Sequence, residues 1–477
     1  MMSRKSRSKI PEKYLNHIDY QRDQSISRRR VLQTMLAATG ALALAEGVDP
    51  WKAQALVRDK GVIMRPETKP FPRLPEGTDT MPEIEHIVIY MQENHSFDSY
   101  YGVLGRGDGY TMGPDGIPTN WNYDMEGKPF RVFHQTNPCN VVTGDHGWDG
   151  EHLAWNHGAM DNFIRANNST NVMGYYTGEE LPFYYSMANI FPICDRWFAS
   201  VLGPTYPNRR FLQAATSVGI VDTSPQEVLE YPSAPNGTIW DRLDAYGISW
   251  NDYGVANGWD VLLFPTSNPV SYLGSISSHL KAYPTDFLSD CLNGTLPAVS
   301  ILAPGFSDQY DEGARDVQNG EVYSYSIINA VMASPNWDKT VIFFTYDEVG
   351  GCYDHVPPVA CVAPDNIAPH ITVPPNQPGG FDMTGLRVPG FVISPYSRQN
   401  YVSSVIRDHT SILRFIETKF NLGALTYRDA NADDLMDCLD FNNQAFLVPP
   451  VLAAPGLPAS GSPCEYEPRP PVNPLPR

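Results

Sequence analysis

Two short apolar runs in this chain each stop abruptly at side chains that carry metal-binding oxygens. They are residues 87–90 (IVIY), followed by Glu93 and Asn94, and residues 341–346 (VIFFTY), followed by Asp347 and Glu348. Runs of this length and composition predict buried strands. In an open α/β sheet, ligands bind beyond the carboxyl ends of the strands. An acid after one strand is more often a helix cap or a solvated loop residue, but the repeated pattern indicates one shared site.

The oxygen-only character of these four side chains restricts which ion they would bind. Carboxylate and amide oxygens suit a hard divalent ion rather than one that prefers thiolates. We therefore expect one divalent cofactor, which could be calcium, magnesium or manganese.

A glycine- and proline-rich segment at residues 203–210 (GPTYPNRR) supplies a candidate nucleophile. It predicts a turn that places the Thr205 hydroxyl at a helix start, where anions bind. A nearby divalent ion would convert this hydroxyl to an alkoxide. Two alternatives stay open: Thr205 could only cap the helix, and Arg209 or Arg210 could pair with surface acids.

The order of predicted elements indicates an α/β fold with a mostly parallel central sheet flanked by helices. Residues 299–303 and 341–346 predict strands, and residues 321–332 between them have the apolar spacing of an amphipathic helix. This strand–helix–strand order predicts parallel pairing with a right-handed crossover. Another strand is expected at residues 390–394, followed by a helix that Asp408 caps.

Residues 145–167 have a helical pattern and contain three histidines, His146, His152 and His157. A single histidine in such a segment is usually a structural residue. Three within twelve positions make it more plausible that one faces a site. His146 has the best access because it precedes the helix.

The two ends of the chain are predicted to lie outside the catalytic domain. Residues 1–45 contain Arg28-Arg29-Arg30 before a short apolar run, which predicts a twin-arginine signal peptide, recognised by the twin-arginine export machinery, and a periplasmic or secreted protein. An uncleaved amphipathic surface helix is the weaker alternative. Residues 46–81 are expected to form an extended lead-in, residues 82–441 the catalytic domain, and residues 442–477 a proline-rich tail.

Charge and cysteine content exclude some classes of function. The formal net charge of −19 would fall to −25 without residues 1–45, which carry nine basic and three acidic residues. Nucleic acid would be repelled at long range, so no nucleic-acid partner is expected. The seven cysteines show no zinc-site spacing. Cys352 and Cys361 are the preferred disulfide pair, with reduced, buried thiols as the alternative.

Together these residues resemble the phosphoesterase family of bacterial and plant phospholipases C and related acid phosphatases. The matching motifs follow the family's order over roughly residues 82–441 and are Glu93-Asn94-His95-Ser96-Phe97-Asp98 with Gly102, His146-Gly147-Trp148, Asp195-Arg196-Trp197, Gly203-Pro204-Thr205, Pro207-Asn208-Arg209, Asp347-Glu348 with Gly350-Gly351, Tyr353-Asp354-His355, Arg387-Val388-Pro389 and Asp408-His409-Thr410-Ser411. An ordered set of this kind is far more specific than any single motif.

The resemblance implies an alkaline-phosphatase-like fold in a short form without the C-terminal β domains of longer members. It implies that Glu93, Asn94, Asp347 and Glu348 bind the metal, and that Thr205 is phosphorylated during turnover. Asn208 and Arg209 would then contact the phosphate.

Two departures from the family pattern concern histidines. Val349 stands where many relatives have histidine, and Glu312-Gly313-Ala314-Arg315 stands where many have a His-Pro pair. His146 and His355 would therefore have to supply the acid that protonates the leaving group.

Three functions from different classes follow from this sequence. The first is an exported, metal-dependent phospholipase C that cleaves phosphatidylcholine-type lipids to diacylglycerol and a phosphorylated headgroup, with transient contact to a membrane surface. The second is an acid phosphatase acting on phosphomonoesters. The third is an exported binding protein with a degenerate site. Aromatic residues could form a choline cage or only pack, and they are Trp148, Trp155, Tyr175, Tyr176, Tyr184 and Tyr206.

Overall fold

The computed structural model describes residues 63–140, 145–223, 233–254, 277–304, 315–371 and 377–456. The predicted twin-arginine segment, residues 312–314 of the departing loop, and the tail beyond residue 456 lie outside these ranges. No helix within them is long and apolar enough to cross a membrane.

The predicted α/β fold is confirmed. Strands are, in chain order, β1 (His86–Gln92), β2 (Trp121–Tyr123), β3 (Pro129–Arg131), β4 (Phe133–His134), β5 (Cys139–Asn140), β6 (Gly174–Tyr175), β7 (Ile193–Cys194), β8 (Trp250–Gly254), β9 (Leu280–Ala282), β10 (Val299–Leu302), β11 (Arg315–Asp316), β12 (Thr340–Tyr346), β13 (Gly390–Ile393) and β14 (Val402–Ser403). Eight of them form one sheet in the order β14-β7-β13-β12-β1-β10-β8-β9. Only β13 runs against the others. The remaining strands form three two-stranded sheets, β11-β5, β2-β3 and β4-β6.

Helices flank this sheet. They are α1 (Phe97–Tyr101), α2 (Trp148–Trp155), α3 (Phe163–Asn167), α4 (Pro182–Ala188), α5 (Thr205–Ala214), α6 (Ile239–Ala245), α7 (Thr285–Asn293), α8 (Val317–Met332), α9 (Thr410–Phe420) and α10 (Tyr427–Ala430). Short 3-10 turns occur at Asn156–Gly158, Thr170–Met173, Trp337–Lys339 and Met436–Cys438.

The centre of the sheet has the predicted strand–helix–strand unit. Strands β10 and β12 both pair in parallel with β1, and α8 connects them. All seven residues of β12 are buried. Burial on both faces explains why the strand sequences are continuously apolar rather than alternating.

The helix predicted over residues 145–167 is interrupted. Asn156, His157 and Gly158 have φ values of 43°, 54° and 95°, which end α2 before α3 begins. Asparagine and glycine adopt this left-handed backbone readily, so they act as a helix stop inside an otherwise helical pattern.

Both predicted boundaries of the packed domain are too narrow. Residues 63–81 have no helix or strand, yet Met64, Phe71 and Met81 are buried. The Phe71 amide donates to Asn421 Oδ1 at 2.8 Å, which ties this lead-in to the end of α9. At the other end, Phe446 and Leu452 are buried, so packing continues past residue 441. Isolated apolar residues between prolines carried too little periodicity to predict this packing.

The preferred disulfide is wrong, because Cys352 and Cys361 are both free thiols. Cys352 Sγ lies 3.5 Å from His95 Nδ1, whereas the Cys361 thiol lies beside Arg428. The two side chains therefore have different neighbours despite their short separation in sequence. Cys139 is disulfide-bonded instead.

Candidate active site

The four predicted metal ligands meet at one edge of the central sheet. In the parallel pair β1 and β12, Gln92 lies opposite Tyr346, so the residues that follow each strand emerge side by side. The Asn94 backbone amide donates to Asp347 Oδ1 at 3.2 Å. Glu93, Asn94, Asp347 and Glu348 are all buried. The sheet register thus converts two separate sequence motifs into one cluster.

Backbone amides orient the acidic pair after β12. The Glu348 amide donates to Asp347 Oδ1 at 2.9 Å, and the Gly350 amide donates to Glu348 Oε2 at 2.6 Å. Each carboxylate therefore has one oxygen used by the loop itself. The second oxygen of each carboxylate is therefore already oriented before any ligand binds.

Glycine is required at position 350. Its φ is 60°, and a Cβ there would lie 2.7 Å from Asn94 Cβ and 2.8 Å from the Asn94 carbonyl oxygen. The two loops that carry the predicted metal ligands can approach this closely only without a side chain between them.

We expect Gly350→Ala to destabilise the protein by about 2 kcal/mol or more, from left-handed strain plus the collision with Asn94. Gly116→Ala is the matched control, because Gly116 has φ 75° but nothing within 4 Å of the added Cβ. Urea unfolding of both variants measures the difference. Equal losses would mean that the contact with Asn94 carries no cost.

The candidate nucleophile Thr205 is the first residue of α5. The side chain of Asn208 holds the preceding loop in place. Its Oδ1 accepts from the Val201 backbone amide at 3.0 Å, and its Nδ2 donates to the Gly203 carbonyl at 2.7 Å. Further bonds reach the carbonyls of Val201 and Pro204. The amide of Asn208 is thus fully used in holding the loop. Its predicted contact with phosphate stays a prediction.

Arg209 joins α5 to the acidic cluster. Its Nε donates to Asp347 Oδ2 at 3.1 Å and its Nη2 to Glu93 Oε1 at 3.0 Å. Residues four apart in a helix share a face, so Thr205 lies one turn above these contacts. Arg209 therefore anchors α5, which begins at Thr205, to the predicted ligands that follow both strands.

A buried histidine, His409, hydrogen-bonds to the backbone of the same cluster. His409 Nε2 lies 2.8 Å from the Asp347 carbonyl oxygen, and Trp197 Nε1 donates to His409 Nδ1 at 3.4 Å. Because the indole can only donate, His409 Nδ1 accepts and Nε2–H donates to Asp347. Burial lowers the pKa of His409, which agrees with this neutral form.

The structure brings His146 into the site. Its Nε2 lies 3.7 Å from Glu348 Oε1, and its side chain is 28% exposed, so solvent or substrate can reach it. His152 is buried against Trp148, and His157 is exposed. The expectation that His146 has the best access of the three is consistent with this arrangement.

His355 belongs to a different cluster. Its Nδ1 lies 2.6 Å from Asp98 Oδ2, and its Nε2 lies 3.4 Å from Asp108 Oδ1. The buried Arg387 completes the cluster through Asp98 (2.8 Å) and Asp354 (3.1 Å). None of these partners is a predicted metal ligand, so the contacts of His355 do not favour its predicted catalytic role.

The ion pair of His355 predicts a pH-dependent contribution to stability. Burial opposes its charge, but the hydrogen bond and charge of Asp98 outweigh burial and raise its pKa. Because the pKa of His355 is higher in the folded protein than in the unfolded chain, its protonation stabilises the folded protein. This stabilisation is fully present below the unfolded pKa of about 6.5 and is lost as the pH rises through the folded pKa. We expect His355→Gln to remove the gain at low pH while leaving the catalytic rate within about twofold.

His152 is the matched control for this measurement. Its pKa is lowered to about 4, first by burial. Its effect has the opposite sign, because the unfolded chain takes up the proton first, so stability falls as the pH drops below about 6.5. Unfolding free energies of His355→Gln and His152→Gln from pH 5 to 8 test the two signs. A stability profile of His355→Gln parallel to that of the wild type would contradict the ion pair.

The cluster fits a divalent ion. Asn94 is 1% exposed, and neither Oδ1 nor Nδ2 has a hydrogen-bond partner. A buried amide without a partner costs free energy, which a bound ion would recover at its oxygen. The donor set is entirely oxygen, as hard cations require. A second acidic group, formed by Asp98, Asp354 and His355, is close enough to hold an ion. There, however, Arg387 already supplies the positive charge.

Sequence reasoning missed two residues at this site. Glu151, on α2, is buried beside Glu348. The sequence contained a signal for Glu151, since this residue follows the His146-Gly147-Trp148 motif by one helical turn. The role of His409 as a support for Asp347 was also missed, although its motif was recognised.

Of the proposed choline-cage residues, Tyr184 donates to or accepts from Ser324 in the core, and Tyr176 is buried. Tyr206 is half-buried and close to Glu93.

Comparison with known proteins identifies relatives across most of the chain. Phospholipase C A of Mycobacterium tuberculosis is 33% identical over 428 residues, covering 79% of this chain and 81% of the relative. Non-hemolytic phospholipase C of Pseudomonas aeruginosa is 32% identical over 414 residues, covering 76% and 58%. Among solved structures, a protein in the alkaline phosphatase superfamily from Vibrio parahaemolyticus aligns with a TM-score of 0.38 and 13% identity, covering 83% of this chain and 81% of that one.

The family assignment rests on the sequence match. Residues 84–423 match the model of the Phosphoesterase family, which is more than half of the chain. The match includes the strands β1 and β12, the Thr205 loop and the helix α9 that together build the site. The chain therefore belongs to the phosphoesterase family and is a hydrolase of phosphoric ester bonds.

Proposed function

We propose that this protein is an exported, metal-dependent phospholipase C that forms a phosphothreonine at Thr205. One observation carries the proposal: Thr205 begins α5 one turn above Arg209, which bonds to Glu93 and Asp347 from the two metal-ligand motifs. A hydroxyl, an anion-binding helix start and an oxygen ligand set are thereby held together. These are the parts that phosphoryl transfer to a side chain requires.

The ion would be held by Glu93, Asn94, Asp347 and Glu348. When bound, it would supply positive charge that favours the ionised Thr205 hydroxyl and the phosphoryl oxygens. Arg209 holds Glu93 and Asp347 in place and adds positive charge beneath the phosphate, and Asn208 keeps the loop before Thr205 in one conformation.

In the first step, Thr205 releases its proton to solvent, and its Oγ forms a bond to phosphorus. The bond from phosphorus to the diacylglycerol oxygen breaks in line with this attack. The backbone amides at the start of α5 face the phosphoryl oxygens. His146, protonated and partly exposed, gives its proton to the departing oxygen, so diacylglycerol leaves as a neutral alcohol.

In the second step, water replaces the threonine. His146, now neutral, takes a proton from water, and the water oxygen forms a bond to phosphorus. The bond between phosphorus and Thr205 Oγ breaks, and Thr205 recovers a proton from solvent. The phosphorylated headgroup leaves, and the site returns to its starting state.

The lipid substrate is supported by the relatives, which are named as phospholipases C in bacteria and in Arabidopsis thaliana. Tyr206 lies next to the nucleophile and could meet a choline group by cation–π contact. We propose that the substrate reaches the site from a membrane surface. Export through the twin-arginine pathway rests on Arg28 and Arg29, and cell fractionation after their replacement by lysine tests it.

Comparing p-nitrophenyl phosphorylcholine with p-nitrophenyl phosphate separates this proposal from an acid phosphatase. We expect kcat/KM for the phosphodiester to exceed that for the phosphomonoester by at least about tenfold, since a headgroup contact worth about 1.4 kcal/mol gives that ratio. Chelation should abolish both activities, and added divalent ion should restore them. A preference for the monoester would favour the phosphatase, and no turnover of either would favour a binding protein.

A further inference from the structure

Glu151 places a second buried carboxyl group against the metal ligand Glu348. It is 1% exposed, on α2, and its carboxyl group contacts that of Glu348 and lies beside the Gly203 amide. Neither Oε1 nor Oε2 of Glu151 has a hydrogen-bond donor of good geometry. When both groups are ionised, both are acceptors, so neither can satisfy the other.

The charges around Glu151 also require a cation. Four carboxyl groups converge here, from Glu93, Asp347, Glu348 and Glu151, and Asp347 adds to the negative potential at Glu151. Arg209 is the cation that bonds to two of them. His409 is neutral, as its hydrogen bonds show. Carboxylates crowded into a buried site are unfavourable unless positive charge compensates them, and a bound ion would add to the charge of Arg209.

We propose that Glu151 is a further ligand of the divalent ion, beside the predicted ligand Glu348. This inference rests on the proposed function, because it concerns the ion that Glu93, Asn94, Asp347 and Glu348 would bind. It extends that ligand set to a third segment of the chain. The unsatisfied oxygens of Glu151 and the unsatisfied amide of Asn94 are then explained by one ion.

The position of Glu151 would also couple the ion to the nucleophile loop. Gly203, whose amide lies beside Glu151, is two residues before Thr205. Trp148 on the same helix lies 3.5 Å from where a Cβ of Gly203 would be, so α2 packs directly on this loop. Ion binding through Glu151 would therefore order the loop as well as the acids.

Calorimetric titration of the metal-free full chain with Mn²⁺ tests the proposal. We expect Glu151→Gln to weaken Mn²⁺ binding by at least about tenfold, because even residues that only hydrogen-bond to a metal ligand cost that much when replaced. Metal-free Glu151→Gln should melt at or above the wild-type temperature, because like-charge repulsion is removed. Glu321→Gln is the control: Glu321 is equally buried, but it binds the Tyr184 and Gly456 amides, and its replacement should leave Mn²⁺ affinity unchanged.

Wild-type affinity in Glu151→Gln would overturn the proposal, because Glu151 would then be an uncharged neighbour of Glu348. If that variant does not fold, Glu151→Ala, which removes the charge without adding an amide, provides the same comparison. Asp347→Asn separates this failure from failure of the proposed function. If Asp347→Asn loses Mn²⁺ and Glu151→Gln does not, only the role of Glu151 is wrong. If the wild type binds no Mn²⁺, both proposals fail.

Discussion

Thr205→Ala is expected to lower kcat for phosphodiester hydrolysis by at least about 10³-fold, because loss of a covalent nucleophile leaves only binding and electrostatic stabilisation. The substitution removes one hydroxyl at the start of α5 and leaves the hydrogen bonds made by Asn208 in place. The KM should change little if Thr205 acts in the chemical step rather than in binding. Steady-state kinetics with p-nitrophenyl phosphorylcholine measure both constants.

Two other variants make this result specific. Thr205→Ser keeps a hydroxyl and should retain much of the activity. Thr216→Ala removes a buried threonine whose Oγ1 donates to Asp365 Oδ2 at 2.6 Å, just beyond α5, so its effect should be on stability alone. If Thr205→Ala keeps wild-type turnover, Thr205 is only a helix-start residue, and the attacking group is elsewhere.

Asp347→Asn is expected to have the second large effect, a loss of both metal affinity and turnover by at least about 100-fold. Asp347 contacts three other residues of the site. Its Oδ1 accepts from the amides of Asn94 and Glu348, and its Oδ2 accepts from Arg209. Asparagine can keep one acceptor oxygen but removes the charge that an ion and Arg209 both need.

Asp434→Asn is the matched control for Asp347→Asn. Asp434 is a half-buried aspartate, with its pKa raised to about 6 first by burial, but it accepts from Thr418 Oγ1 near the far end of α9. Its replacement should change stability and leave Mn²⁺ affinity as in the wild type. Equal metal binding by Asp347→Asn and the wild type would exclude Asp347 as a ligand.

The sequence contained enough information to predict that Glu93, Asn94, Asp347 and Glu348 lie together. Continuous apolar runs identify strands buried on both faces, and parallel neighbours bring the residues after their carboxyl ends together. The pairing of Gln92 with Tyr346 is the register this argument needs. The start of α5 at Thr205 was likewise predictable from glycine and proline positions.

Other features depended on contacts between distant segments. His355 was predicted to be catalytic because two histidines of the family pattern are absent, and that role stays a prediction. Its ion cluster with Asp98 and Arg387, which are distant in sequence, was not predictable. Glu151 looked like an ordinary helix residue, because only the packing of α2 against Gly203 and Glu348 buries it. The burial of Met64 and Phe446 similarly depends on surfaces made elsewhere in the chain.

Trapping the covalent intermediate tests the central claim most directly. Enzyme saturated with p-nitrophenyl phosphorylcholine is quenched in acid within a few turnovers, digested, and analysed by tandem mass spectrometry. We predict phosphorylcholine on Thr205 in the metal-loaded wild type, and no such label in Thr205→Ala or in chelated enzyme. Rapid turnover with no labelled residue, or a label on another side chain, would contradict the proposed mechanism.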